Sequence, residues 1–219
     1  MKNRCPTLPR AALMILSACA LGATAPARAS GSVALKDATI AGTLTSWGVA
    51  AWRGAPLGGC LADGGPWGSR IQGGKDKELS FVSAGAVRRE CHLTDALGFS
   101  LEMAPVVSIG HWSASAGSSG AHSAWDMAFV PMMRWKQPLG ATMRWDLEFG
   151  IGPALLSQSN IGDRVKSTNF QFSDHLGLGL GTADGHWRVG LAYRHVSNAD
   201  IRSPNNAVDF KGLSLEWRP

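Results

Sequence analysis

Three side chains near the C-terminal end of the chain have the types that a nucleophile, a base and an acid require. His195 and Ser197 are two residues apart, and Asp209 follows in the next segment. A serine hydroxyl is a weak nucleophile until an imidazole removes its proton, and a carboxylate orients that imidazole and stabilises its cation. The three residue types therefore predict serine hydrolase chemistry, provided that folding brings them together.

The segments around these residues alternate with the period of a β-strand. The apolar side chains of the first segment share one parity: Trp187, Val189, Leu191 and Tyr193. That parity continues to His195 and Ser197, so both side chains should lie on the apolar face of the strand. In the last segment the apolar parity leads back from Leu213 to Asp209. We therefore expect all three to meet on one face, although a histidine at a strand end is often only an interfacial side chain.

The same alternation extends over the chain from residue 97 onward. One parity of residues 142–151 is apolar, and the other carries Arg144, Asp146 and Glu148 together with glycine. A small transmembrane barrel needs this pattern, because apolar side chains face lipid while charges and glycines pack in a narrow lumen. A soluble sheet with one wet face also alternates, so alternation alone leaves both architectures open.

Connection lengths favour the barrel. Eight strands are predicted at 44–52, 78–87, 98–111, 123–135, 141–156, 169–181, 186–197 and 209–217. The connections between them run alternately long and short, as in outer-membrane barrels with an even number of strands. We predict an all-β fold, an eight-stranded antiparallel transmembrane β-barrel formed by residues 30–219, with both termini in the periplasm. The pattern is weakest over residues 30–80.

The N-terminal segment has the features of an export signal. A basic start precedes an apolar stretch from Ala11 to Ala23, and Ala27-Arg28-Ala29 predicts cleavage before Ser30. A lipoprotein signal ending at Cys19 is the alternative. Removal of residues 1–29 would take four of the 21 basic residues and none of the 16 acidic ones, leaving 17 against 16. This balance gives no reason to expect nucleic acid as a partner.

Two cysteines, Cys60 and Cys91, remain after that removal. In an oxidising compartment such a pair would by default form a disulfide. The predicted topology places Cys60 in the first outer loop and Cys91 in a periplasmic turn, a membrane thickness apart. A disulfide needs Cα atoms within about 7 Å, so two free thiols are expected.

Several motifs resemble the lipid A 3-O-deacylase (PagL) family. They are Arg194-His195-Val196-Ser197-Asn198-Ala199 followed by Pro204-Asn205 and an acid, the segment 170–179 (FQFSDHLGLG), and the segment 131–135 (PMMRW). The resemblance covers roughly residues 97–217. Three features depart from the family pattern. The acid is commonly Glu, an aromatic residue often stands in place of Val196, and residues 30–80 form a longer, dissimilar region.

The resemblance implies an enzyme that removes the 3-linked acyl chain of lipid A, or lipopolysaccharide, in the outer leaflet. It implies Ser197 as nucleophile, His195 as base, Asp209 as acid and Asn198 as a residue that helps the oxyanion. The substrate phosphates would then bind basic residues in or near the predicted outer loops, and the candidates are Arg164, Lys166, Arg202 and Lys211. Whether the protein acts as a monomer or as a homodimer stays open.

No histidine has ligand spacing with cysteine or carboxylate residues, so we expect neither a metal nor another cofactor. His175 falls on the luminal parity and is interpreted as a packed polar side chain. Two alternatives to the esterase are a non-catalytic barrel with an adhesive or structural role and a phospholipase or acyltransferase acting on glycerophospholipid. A His-Ser-Asp set facing lipid argues against the first, because an adhesin has no use for it.

Overall fold

The computed structural model describes residues 31–62 and 65–219, and the predicted signal segment 1–29 lies outside this part. Two helices come first, α1 (Gly31–Trp52) and α2 (Leu57–Ala62). The strands that follow are β1 (Trp67–Asp76), β2 (Leu79–Arg88), β3 (Cys91–Ala96), β4 (Phe99–Ala114), β5 (Ser123–Leu139), β6 (Met143–Leu156), β7 (Asn160–Ile161), β8 (Arg164–Val165), β9 (Phe170–Thr182), β10 (Trp187–Ser197) and β11 (Val208–Trp217).

Eight strands form a closed antiparallel ring in the order β1, β2, β4, β5, β6, β9, β10, β11, with β11 pairing back to β1. β3 pairs with the beginning of β4, and β7 and β8 form a small hairpin inside a long loop. The predicted eight-stranded antiparallel barrel is thus confirmed. The long connections 115–122, 157–169 and 198–207 lie at one end of the barrel, called here the long-loop end. The turns at 97–98, 140–142 and 183–186 lie at the other, the short-turn end.

The predicted first strand, 44–52, is wrong, because these residues form the second half of α1. The buried side chains of α1 are Thr39, Thr43, Ser46 and Ala50. Their spacing of three and four residues is that of a helix face, not of a strand. The first barrel strand is β1, in which only a few residues are apolar. β1 turns directly into β2 through Lys77 and Glu78, so the first connection at the long-loop end is short rather than long.

α1 lies against the outer wall of the barrel, across β6 and β9. The indole Nε1 of Trp135 donates to Ser46 Oγ at 2.7 Å. A Cβ atom on Gly42 would come within 2.2 Å of the Phe149 ring, so glycine permits the close approach of the helix to the wall. Met133, whose side chain faces outward, is fully buried because the helices cover it. Neither described helix has the length and hydropathy that a membrane crossing would require.

The prediction of two free thiols is also wrong, since Cys60 and Cys91 form a disulfide with a Cα–Cα distance of 5.6 Å. The error follows from the misplaced first strand. Cys60 lies in α2, before β1, and therefore at the same short-turn end as Cys91. The bond ties the helical segment to the beginning of β3.

The inward parity of the strands fills the lumen with paired charges. Arg134 donates from Nε to Glu148 Oε2 at 2.8 Å and from Nη2 to Glu216 Oε1 at 2.5 Å. Arg70 binds the same two carboxylates, and all four side chains are at most 3 % exposed. Nearer the long-loop end the lumen also holds an apolar cluster, on which the buried Arg194–Asp126 pair packs. The cluster consists of Leu79, Phe81, Trp112, Ala124, Leu156, Ile161, Val196, Val208 and Phe210. Charges inside and apolar residues outside are the predicted transmembrane arrangement.

Replacing Glu148 by glutamine should destabilise the barrel by about 3–5 kcal/mol, because the buried guanidinium groups of Arg70, Arg134 and Arg188 lose a charged partner. Urea unfolding in lipid vesicles would measure this loss. The control is Glu78→Gln, which removes a partly exposed partner of Arg164 and should cost no more than about 1 kcal/mol. Equal effects of the two substitutions would contradict the structural role of the luminal network.

Candidate active site at the long-loop end

His195 and Asp209 lie opposite each other where β10 and β11 meet at the long-loop end. The two residues are register partners, and His195 Nδ1 is 2.7 Å from Asp209 Oδ1. The carboxylate of aspartate therefore reaches the imidazole although it is one methylene shorter than the glutamate common in the family. His195 is 5 % and Ser197 7 % exposed. The structure thus pairs His195 with Asp209, two of the side chains that alternation placed on one face.

Ser197 is the last residue of β10, on the same parity as His195. Its Oγ accepts a hydrogen bond from the backbone N–H of Ala199 at 3.4 Å. Among the described residues, the side chains of Ser197 and His195 are not hydrogen-bonded to each other. Catalytic hydrogen bonds are often long or absent before substrate binds. The arrangement is compatible with a nucleophile next to its base.

Tyr193 and Asp76 hold the acid in place. The Tyr193 hydroxyl donates to Asp209 Oδ1 at 2.6 Å and also lies 3.3 Å from the carbonyl oxygen of Ser32 in α1. The backbone N–H of Asp209 donates to Asp76 Oδ2 at 3.1 Å. A carboxylate fixed by several hydrogen bonds keeps the imidazole in one orientation, which is the task of the third member of such a set. Sequence reasoning missed the role of Tyr193.

Asp174 is a second residue that sequence reasoning missed. It lies on the outward, apolar parity of β9, between Phe172 and Leu176, and is the register partner of His195 on the side opposite Asp209. Asp174 is 6 % exposed, and its Oδ1 has no hydrogen-bond partner in the described part of the chain. A buried carboxylate without a full set of partners is costly, so its position beside His195 makes Asp174 a candidate functional residue. The feature of the sequence that could have identified it is an acidic residue at an otherwise apolar, outward-facing position of this strand.

Asn198 is buried under the loop that follows Ser197. Its Nδ2 donates to the carbonyl oxygen of Arg202 at 2.7 Å, and its backbone N–H donates to Asn205 Oδ1 at 3.0 Å. The next two residues, Ala199 and Asp200, have φ values of 53° and 58°. Such left-handed conformations cost non-glycine residues about 1–2 kcal/mol each, and they are maintained only where surrounding contacts impose them. The loop therefore holds the backbone beside Ser197 in a defined shape.

Lys166 is hydrogen-bonded to the backbone at the end of β10. Its Nζ donates to the carbonyl oxygen of Val196 at 2.9 Å, and the residue is 1 % exposed. Burial, together with neighbouring Arg164 and against the opposing effect of Asp209, lowers the pKa of Lys166 to about 8. Arg164 itself contacts Glu78 and Asp76. Both cations are engaged within the protein, so of the predicted phosphate-binding candidates only Arg202 and Lys211 are exposed.

Within residues 31–62 and 65–219, no three His, Cys, Asp or Glu side chains are grouped so as to hold a metal ion. The fold defines a class: a β-barrel of the outer-membrane type, which here carries a His195–Asp209 pair, with Ser197 two residues further along, at the long-loop end of its wall. The family model for lipid A 3-O-deacylase (PagL) matches residues 92–218. The chain belongs to this family.

Two relatives are named lipid A deacylase PagL. That of Bordetella bronchiseptica is 33% identical over 118 residues, which cover 54% of this chain and 63% of the relative. That of Pseudomonas aeruginosa is 30% identical over 103 residues, 47% of this chain and 57% of the relative. The chain thus matches less than two thirds of the length of either. A crystal structure of the outer membrane enzyme PagL superimposes with a TM-score of 0.59 at 21% identity, over 69% of this chain and 98% of that one. This likeness supports the fold.

The buried position of Lys166 predicts a pH dependence of stability. The lysine pKa is about 8 in the folded protein and about 10.4 in an unfolded chain. Between these values the unfolded chain binds more protons, so this lysine makes the free energy of unfolding rise as the pH rises from about 8 to about 10.4. Urea unfolding of the parent and of Lys166→Met across this range should show the rise only in the parent.

The exposed Lys75 supplies the matched control, since Lys75→Met should leave the slope of the parent unchanged. Parallel curves for the parent and Lys166→Met would show that the Lys166 ammonium is not destabilised by the fold.

Proposed function

We propose that this protein is an outer-membrane serine esterase that hydrolyses the 3-O-linked acyl chain of lipid A. The observation that carries the proposal is the 2.7 Å contact between His195 Nδ1 and Asp209 Oδ1 on the outer face of the barrel, beside Ser197. Family membership supports the same activity, and relatives over about half of this chain are named lipid A deacylases. Export with removal of residues 1–29 is part of the proposal.

The roles follow from the geometry. Asp209 holds the proton of His195 on Nδ1, which leaves Nε2 free to accept the proton of Ser197 as Oγ attacks the ester carbonyl. The proton then passes to the leaving sugar oxygen, and an acyl-enzyme forms. Water, activated by the same imidazole, hydrolyses that ester, releasing the fatty acid and restoring Ser197. Asp209 orients the imidazole and is not itself consumed.

The developing oxyanion needs donors near the attacked carbonyl. The backbone N–H of Ala199 lies 3.4 Å from Ser197 Oγ and is held by the left-handed conformation of that residue. Asn198 remains the predicted oxyanion residue, with one proton of its amide directed at the carbonyl of Arg202. We assign stabilisation of the oxyanion to this backbone segment, with Asn198 fixing its shape.

The location of the set on the outer wall favours a substrate that approaches through the membrane. The strands around it expose apolar side chains outward: Leu178, Leu180, Val189, Leu191, Leu213 and Leu215. A lipid ester in the outer leaflet can reach such a surface without leaving the bilayer. All three proposed catalytic groups come from one chain, and whether the protein acts as a monomer or as a homodimer stays open.

Ser197→Ala and His195→Ala should each abolish acyl release, by about 10⁶-fold, because the set acts as a unit. Mass spectrometry of lipid A from cells that carry each variant measures the lost acyl chain. Ser115→Ala and His122→Ala, both in an exposed loop, are matched controls and should behave as the parent. Near-native release by either site variant would refute the assignment. Loss of an acyl chain from phospholipid alone would point to a phospholipase.

Asp209→Asn should lower the rate by about 10⁴-fold, less than the loss at the other two positions, because the acid only orients the base. Asp209→Glu tests the fit of the carboxylate. The aspartate already contacts His195, so a longer side chain must displace the imidazole and should cost between about 10- and 100-fold. Ester hydrolysis by purified protein in detergent micelles measures both. If glutamate matched the parent, the position would not depend on carboxylate length.

A further inference from the structure

A cavity of about 410 Å³ lies outside the barrel, between α1 and the wall. Its lining is almost wholly apolar and includes Leu35, Leu147, Leu176, Leu178, Leu191 and Tyr193. Leu35 comes from α1, and the others come from β6, β9 and β10. The cavity is open toward the membrane, since Leu178 is 47 % and Leu191 62 % exposed.

This cavity begins at the proposed catalytic set. Tyr193 lines the cavity while its hydroxyl binds Asp209. His195 is two residues from Tyr193 and four from Leu191, on the same face of β10. At about 3.3 Å per residue, the cavity, called the groove from here on, reaches along the wall to about 13 Å from His195. An acyl chain whose carbonyl lies at Ser197 would pass along His195 and enter the groove at Tyr193.

α1 is a fixed wall of this groove. At the near end, the Tyr193 hydroxyl lies 3.3 Å from the carbonyl oxygen of Ser32. In the middle, Gly42 packs on the ring of Phe149 and Ser46 binds Trp135. At the far end, the helical segment is joined to the barrel by the disulfide between Cys60 and Cys91.

We propose that α1 and the barrel wall together bind the fatty acyl chain of the substrate, and that Leu35 and Leu178 select its length. This inference rests on the proposed esterase function and deepens it. Leu35 faces the groove from the helix, and Leu178, the register partner of Leu191, lies at its distal part. α1 is outside residues 92–218, which match the family model, so this wall is a feature of the region that precedes the family match.

The selection acts through shape rather than through the hydrophobic effect. Lipid tails are as apolar as leucine, so a chain gains little by leaving the bilayer for an apolar groove. A chain that fits between the helix and the wall is instead held in one conformation, with its carbonyl at Ser197. A chain that does not fit loses this alignment, and the rate falls accordingly.

The test compares acyl esters of p-nitrophenol, from butyrate to palmitate, with the full mature protein in detergent micelles. Leu178→Trp narrows the groove and Leu35→Ala widens it. Each should lower the ratio of kcat/KM for palmitate to kcat/KM for butyrate by about tenfold, the scale on which an apolar pocket discriminates. The matched controls are Leu180→Trp, the next outward residue of β9, and Leu44→Ala, an exposed leucine of α1. Both should keep the parent ratio.

Unchanged ratios in Leu178→Trp and Leu35→Ala would overturn the inference. An effect of Leu178→Trp without one of Leu35→Ala would overturn the role of α1 and leave a groove formed by the barrel alone. Ser197→Ala is assayed in parallel. If it hydrolyses the esters at the parent rate, the proposed function fails instead, so the two failures are distinguishable. Heat-modifiable migration in gels verifies that each variant is folded.

Discussion

In the middle of the barrel, Arg70, Arg134 and Arg188 meet the carboxylates of Glu148 and Glu216. Removing such charges from water costs several kcal/mol per ion, and only close partners with good geometry offset that cost. The partners come from five different strands, β1, β5, β6, β10 and β11. The pairing is therefore complete only when the ring is closed. Because the lumen holds the charges, the apolar side chains face outward.

Because the charges lie in the lumen and the apolar side chains face outward, a polar group on the outer wall is an exception. A polar side chain on an apolar, lipid-facing parity has neither water nor a luminal partner, so each one needs a specific contact. His195 and Asp209 provide it for each other, and Tyr193 adds a third group. Asp174 on the opposite side of the histidine has an oxygen without a partner. The polar patch thus lies where a lipid ester, rather than a soluble one, can reach it.

The segment before the barrel modifies this surface. Residues 92–218, which match the family model, contain the proposed catalytic groups and most of the ring. α1 covers part of the outer wall and reaches Tyr193 at its first turn, and α2, which follows it, is tied to the barrel by the disulfide between Cys60 and Cys91. A helix with small residues on its contact face can approach the wall closely. α1 thereby adds a helical surface to the family barrel beside the proposed site.

Alternation in the sequence was sufficient to predict the six barrel strands after residue 97, and the rhythm of the connections added β2. Alternation also placed His195 and Asp209, which are register partners, on one face, because period two is a local property of an extended chain. It was not sufficient for β1, which has few apolar residues, or for α1, whose buried face has helical spacing but consists of small and mostly polar residues that give no apolar pattern. The disulfide between Cys60 and Cys91 was mispredicted for that reason, since the partner of a cysteine depends on where a distant segment lies. The 2.7 Å contact at Asp209 and the burial of Lys166 likewise required strand register and loop packing, which long-range pairing decides.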